Sequence, residues 1–473
     1  MAAGALRMNK FSTLSLLIIL YVSAILPEVT VKATEVKTPV RGDKAQGCAI
    51  HVQNDLNWNT PILLNKDMQI LLPDVSSGYV TLPVKEEVTF VCPGDGNHFL
   101  KPFHPKNVTT VVGRCVNGKI FDIGVKMNIK EITCKMLPES ILRNISSSCN
   151  RKNYTLAEIG FLVNKTTFIN QIKVCFDEQH CKPVYTKHEL HPTMKFHQTG
   201  KSFSFRKVET YLFGELGEGP GDLYPCTRQK EVLAELLGSK KQVHEYDRCP
   251  EDRSTQLVKG HLSPNADFTF SFQQNATYYH ANAAPQWMFF NNRNWKSLEE
   301  RIRSQAYIRN RSLVIYTGTS DEPTFLPDVN GNNVEIFLSQ INNKLPSPLY
   351  YWKLVYDPKT EKGIGFIGYN VHFDQDPPFF TQPKYSSICE KSGWFRKSEI
   401  TLDKGLIYCM SVKDLITLTK LEDFKDKISG DMEYELTSDK YTRKLQEELP
   451  KSSCGELWSI GFKIVFVTIL AMY

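Results

Sequence analysis

The stretch Leu257–Phe268, LVKGHLSPNADF, decides how the chain is read. Leu257 and Val258 are strand formers, whereas Gly260, Ser263 and Pro264 interrupt the extended run, so a strand ends at Gly260-His261 with an imidazole at its mouth. Two further pieces lie close downstream. HANAAPQW, starting at His280, lies in a run (ATYYHANAA) whose aromatic and small residues predict a second strand. FNNRNWKSLEERIR, Phe290 to Arg303, predicts a helix, because Trp295, Leu298 and Ile302 fall at i, i+3 and i+7 and share one buried face. Glu299 and Arg303, four apart, lie side by side on another face.

Outward from this block the chain changes texture. From about Thr34 to Cys149, short runs such as TPILLN, YVTLPV, EVTFVC and VTTVVGRC alternate with Pro, Gly, Asn and Asp, which predicts a small antiparallel β module stapled by its own cysteines. From Asn150, strand-like IKVCF and SPLYYWKLVYD mix with helix-like QKEVLAELLGS, predicting one large α+β domain over residues 150–451. A composition of 41% hydrophobic and 23% charged residues over 473 positions supports packed cores and excludes a disordered chain or a polytopic membrane protein.

Both termini stand apart. Residues 1–33 carry a basic start (Arg7, Lys10), an apolar run from Phe11 to Leu26 and small residues at Ala24 and Ala33, the pattern of a secretory signal peptide. An uncleaved anchor is the rival, but the run is short for a spanning helix. Removing the leader lowers the net charge from +6 to +4, far from the excess of a chromatin-type binder, so attraction for a polyanion must come from local clustering. Residues 452–473 place small residues ahead of a terminal apolar tail, which reads as a last packed strand or helix, as a segment lying on a membrane, or as a lipid-anchor signal that would tether the chain to a membrane. Twelve cysteines and six Asn-x-Ser/Thr sequons (Asn107, Asn144, Asn153, Asn164, Asn275, Asn310) agree with an extracellular, disulfide-bonded, glycosylated product. Cys226/Cys249 and Cys389/Cys409 each close a short loop and are the expected local pairs.

Three motifs in this order and spacing resemble the DNA/RNA non-specific endonucleases of the ββα-metal (His-Me finger) fold, in their secreted arthropod-type branch. They are Lys259-Gly260-His261-Leu262-Ser263-Pro264, then Asn282 ahead of Pro285-Gln286, then Asn291 with Trp295 four and Glu299 eight residues on. The resemblance extends more weakly across about residues 151–430 and does not reach the N-terminal module. It implies a ββα-metal nuclease domain on a mixed antiparallel sheet, with DNA and RNA as substrates contacted through the phosphate backbone. It also implies products with 5′-phosphate and 3′-hydroxyl ends.

The residue types suit that chemistry. A neutral imidazole takes a proton from water near neutral pH, which suits His261 to the general-base role that the resemblance implies. Asn291 offers one neutral oxygen to Mg2+ (Mn2+ as the substitute), leaving the ion most of its waters. The resemblance implies that Glu299 holds a water of that ion, that Lys259 and Arg303 stabilise charge building on phosphorus, and that Asn282 orients His261 or touches the scissile phosphate. Each has a plainer alternative: Asn291 as a helix N-cap, Glu299 and Arg303 as an exposed helix pair. Lys259 stands where many relatives have Arg, which keeps a positive charge and loses the two-pronged donor. Arg206 in FSFRK is the nearest match to an upstream basic residue of the family.

Other motifs are weaker. His188-Glu189-Leu190-His191 is one residue short of placing two histidines a helical turn apart, so a zinc protease is not expected. FGELGEGPGDLY lacks a P-loop Lys-Ser/Thr and reads as a flexible connection. Phosphate attraction is expected from Lys259, Arg301, Arg303, Arg309 and Arg311. The competing class is a secreted nucleic-acid-binding paralogue with impaired catalysis; keeping His261, Asn291 and Glu299 together speaks against it.

Overall fold

The computed structural model describes residues 47–100, 107–150, 154–206, 211–372, 387–427 and 436–438. The expected leader and the apolar tail lie outside these residues, as do Cys454 and the sequon at Asn153. No helix among the described residues is long and apolar enough to cross a membrane.

The N-terminal part is the expected β module. Five antiparallel strands, Ile62–Leu64, Glu87–Val91, Thr110–Asn117, Ile120–Asp122 and Lys126–Asn128, form one sheet, and Cys48–His51 pairs with Tyr79–Leu82 beside it. Alternation along Glu87–Val91 drives Val88 and Phe90 inward, where Phe90 meets Phe121 edge to face at 5.5 Å. Disulfides Cys48–Cys115 and Cys92–Cys134 close it. The module is not a separate bead, because its buried residues join those of the larger domain in one continuous core. Gln198 of the larger domain donates to the carbonyls of Val52, Leu56 and Asn57.

The larger domain is built on an eight-stranded antiparallel sheet. Its spatial order is Ile407–Met410, Lys362–Tyr369, Tyr350–Asp357, Leu313–Thr319, Lys182–Leu190, Phe168–Asp177, Tyr154–Leu162 and Ile141–Cys149. The edge strand Ile141–Cys149 therefore belongs to this sheet although it precedes residue 150. Cys149–Cys175 ties that edge inward, and both expected local pairs, Cys226–Cys249 and Cys389–Cys409, are present. YYWKLVYD, Tyr350–Asp357, shows no polar alternation because both faces of the sheet are covered. Tyr351 and Val355 point to the core that carries the His261 hairpin, and Tyr350, Trp352 and Leu354 to a second core on the opposite face.

Asn107, Asn144, Asn164 and Asn310 are exposed and Asn275 is half-buried. HELH lies in and just after the strand Lys182–Leu190, with His188 buried, so no helical metal pair exists there.

Candidate nuclease site

The strand Leu257–His261 pairs antiparallel with Ala283–Trp287, His261 opposite Ala283 and Leu257 opposite Trp287. The second strand begins later than the run ATYYHANAA predicts. Residues 277–282 turn instead, ending in a 3-10 helix His280–Asn282, because Asn282 satisfies the local backbone with its side chain. Its Oδ1 accepts from the Ser263 N–H at 2.9 Å, and its Nδ2 donates to the carbonyls of Ser263 (2.9 Å) and Thr277 (2.8 Å). Asn282 is fully buried, so it clamps the turn after His261 and has no amide group left to offer a phosphate. Gly260 is required by close approach: a Cβ there would lie 2.2 Å from Gln286 Oε1.

The chain then enters the helix, passing from Met288–Phe290 through a π-turn, Asn291–Trp295, into Lys296–Arg309. Trp295, Leu298 and Ile302 are buried as the periodicity predicts, each of the aliphatic pair contributing about 1.5–3 kcal/mol. Asn291 has helical backbone angles (φ −54°, ψ −43°), so it is no N-cap, and its carboxamide forms no hydrogen bond among the described residues. The π-turn carries a kink at Arg293 and is pinned by Asn294, whose amide donates to the carbonyls of Glu399 (2.9 Å) and Gly405 (2.6 Å).

His261 stands at the end of its strand between rings, 4.9 Å from Phe205 and 4.8 Å from Tyr278, centroid to centroid. Its Nε2 is shielded from solvent and has no hydrogen-bond partner among the described residues. Burial, with a smaller push from His280, lowers its pKa to about 4 and keeps the ring neutral at ordinary pH. Lys259, on the same strand, lies over the rings of Phe205 (5.2 Å) and Tyr224 (5.0 Å), and burial lowers its pKa against the pull of Asp222. The glycine-rich segment does not read as a loose connection here. It forms short 3-10 turns, Gly214–Leu216 and Pro220–Leu223, and a Cβ on Gly221 would sit 3.2 Å from His280 Nε2 and 3.9 Å from Lys259 Nζ.

Behind His261 lies a charged network. Arg303 donates to Asp267 Oδ1 at 2.9 Å, Asp267 Oδ2 meets His188 Nε2 at 2.9 Å, and His188 Nδ1 meets Ser263 Oγ at 2.9 Å. Lys353 donates to the Leu262 carbonyl (3.3 Å) and to Thr317 Oγ1 (2.8 Å), and its Nζ lies 3.7 Å from Glu299 Oε1. Glu299 and Arg303 are thus neither an exposed pair nor bonded to each other; their side chains are 13% and 14% exposed and each engages the sheet side of the site. Burial raises the Glu299 pKa to about 7, opposed by Lys353 and Arg303. Asp267, His188 and Lys353 were not among the expected site residues. The signals were an acid six residues after His261 and a lone lysine inside the apolar run YYWKLVYD.

The expected basic cluster does not assemble. Arg301 binds Glu399 and the Trp394 carbonyl, Arg309 binds Gln305 and the Thr437 carbonyl, and Arg311 binds Asp357. Together with Arg303, four of the five cations are committed to the fold, which leaves Lys259 as the one beside His261. Arg206 is likewise engaged, by Glu139 and Ser140, while its neighbour Phe205 supplies the ring beside His261. A trio of donors close enough for a metal, Cys226, Asp247 and Cys249, lies in the described residues, but its cysteines are disulfide-bonded and offer no thiolates.

Two antiparallel strands and a helix, with a histidine at the end of the first strand, define a ββα-metal (His-Me finger) nuclease unit. The chain belongs to the DNA/RNA non-specific endonuclease family, whose model matches residues 152–414, more than half of its length. It is 24% identical over 408 residues to a salivary endonuclease of Lutzomyia longipalpis, covering 85% of this chain and 88% of that protein. It is 22% identical to the salivary protein Tsal2A of Glossina morsitans morsitans (78% and 89% covered) and 25% identical to Tsal1 of the same species (68% and 78%). A crystal structure of the EndoG/EndoGI complex, concerned with EndoG inhibition, aligns with 55% of this chain and 84% of its own at 14% identity and TM-score 0.30.

Proposed function

We propose that the chain is a secreted, Mg2+-dependent endonuclease that hydrolyses phosphodiester bonds of DNA and RNA, with His261 as general base. The observation that carries this reading is the Nε2 of His261, neutral, shielded and without a partner, at the end of a strand whose succeeding turn is locked by Asn282. His261 takes the proton of the attacking water, and Asn282 keeps the ring aimed. Lys259 places its charge beside the same strand end, where negative charge develops on phosphorus. Asn291, with its carboxamide uncommitted on a helical turn, fits a single neutral oxygen ligand for Mg2+, or for Mn2+ in its place. When bound, the ion supplies positive charge to the scissile phosphate and the departing oxygen. Glu299, beside Lys353 and Arg303, orients water on the helix side.

Low base specificity follows from contacts that are the same in every sequence. The salivary relatives, the apolar leader and the five disulfides support an extracellular product. The exposed sequons support glycosylation.

The test incubates purified protein with plasmid and double-stranded RNA, in Mg2+, Mn2+ or EDTA, beside His261→Ala. Wild type is expected to cut both substrates with metal and neither with EDTA. His261→Ala should lose about 10²–10⁴ in rate with an unchanged circular dichroism spectrum. DNA fragments should religate directly, as 5′-phosphate and 3′-hydroxyl ends require. Wild type that retards both substrates on a gel and leaves them intact sinks the proposal.

A further inference from the structure

The face of the large sheet turned away from His261 carries a cavity of about 270 Å³. That is just below the range of pockets for drug-sized ligands, and so fits a small molecule and no polymer. Five aromatic residues, Tyr154, Tyr350, Trp352, Tyr369 and Tyr408, line it, drawn from four strands. Tyr369 stands edge-on to both Tyr350 (6.4 Å, 68°) and Tyr408 (6.4 Å, 83°), so rings at steep angles bound the space. A core that needs only to be filled is better served by Leu, Ile and Val, which bring no hydroxyls to satisfy.

The mouth adds charge. Asp321 and Glu322 line it, against Lys420. Asp321 is bound by the buried Lys182 at 3.3 Å, while the Glu322 carboxylate is exposed. Both carboxylates act on the cavity, since together with burial they raise the Tyr350 phenol above its ordinary pKa. With Asp321 paired to Lys182 and Lys420 set against Glu322, an anion gains little at the mouth and meets the negative faces of the rings inside, while a neutral ring uses the aromatic walls without Glu322. A cation uses both, since the faces of Trp and Tyr attract positive charge.

We propose that this cavity binds a small organic cation, a quaternary ammonium or a protonated arylalkyl amine, with its charge between the aromatic walls and Glu322. The site shares no residue with the nuclease site and does not depend on the nuclease reading.

The test is isothermal titration calorimetry on the full secreted chain with choline and with tryptamine. Each is paired with a neutral counterpart, 3,3-dimethylbutanol and indole-3-ethanol. At least one cation is expected to bind in the micromolar to millimolar range, about tenfold or more tighter than its counterpart. Glu322→Gln, an exposed change, is expected to weaken that cation by about tenfold at low salt while plasmid cleavage keeps the wild-type rate. Trp352→Phe keeps a ring and should weaken binding less than Trp352→Leu. Absence of heat with both cations up to about 10 mM overturns the proposal. So does equal binding of the neutral partners, or a Glu322→Gln protein that folds and binds as wild type.

Discussion

Lys353 and Trp352 are adjacent in one strand and serve opposite faces of the sheet. Lys353 points to the hairpin, where it holds the Leu262 carbonyl and lies beside Glu299, and its neighbour Tyr351 donates to the Ala284 carbonyl at 2.9 Å. Trp352 points away, into the aromatic cavity. The first face buries an ammonium, which is costly, and offsets the cost with two hydrogen bonds and a carboxylate. The second buries rings and leaves its carboxylates at the rim. Strand alternation alone separates a buried polar network beneath the His261 hairpin from an aromatic-lined cavity, within residues that read as one apolar run.

The two faces can therefore be broken independently. Lys353→Met has the largest expected effect. It strips Glu299 of its nearest cation and the Leu262 carbonyl of its donor, and should cost about 3–5 kcal/mol in urea unfolding well above pH 7, where wild-type Glu299 is ionised, with a loss of nuclease activity. Glu299 escapes the penalty by taking up a proton, so the loss should grow as pH rises through about 7. Cation binding on the other face, measured where the variant is folded, should survive; an unchanged unfolding midpoint refutes the network. Gly260→Ala is smaller, about 1–3 kcal/mol, because the new Cβ meets Gln286 Oε1 at 2.2 Å and must displace it or His261. Gln286→Ala in the same chain removes that contact and should recover part of the loss. It forfeits no hydrogen bond, as both amide atoms of Gln286 lack partners among the described residues. Full activity and stability of the single variant count against the close approach.

The hairpin, the helix and the buried stripe Trp295, Leu298 and Ile302 were legible because they rest on local periodicity and punctuation. The late start of the second strand was not. Aromatic and small residues favour a strand there, but Asn282 spends its three hydrogen bonds on a turn, a choice made by partners at Ser263 and Thr277. The basic cluster failed for a related reason. Arg301, Arg309 and Arg311 are near His261 in sequence, but their partners, Glu399, Thr437 and Asp357, lie 46 to 128 positions away along the chain. Lys353 and Asp267 leave only faint signals, a lone lysine in an apolar run and an acid after the first strand, because what joins them to the hairpin is packing between segments distant in sequence.

A change in the slope of stability with pH, rather than in stability at one pH, sharpens the comparison within the charged face itself. His261 and Glu299 have pKa values moved in opposite directions by burial, from 6.5 to about 4 and from 4.5 to about 7. Between pH 4 and 6.5 the unfolded state binds the His261 proton and the folded state does not, so this residue makes stability rise with pH. Between pH 4.5 and 7 the folded state holds the Glu299 proton and the unfolded state releases it, so that residue makes stability fall as pH rises. The two slopes, each at most about 1.4 kcal/mol per pH unit, offset where the windows overlap. Glu299→Gln is therefore expected to leave a protein whose urea midpoint climbs from pH 4.5 to 6.5 more steeply than wild type. His261→Ala should do the reverse, its midpoint dropping over the same range relative to wild type. Two variants that both keep the wild-type pH dependence show that these groups titrate at their ordinary values, and burial then does not move either of them.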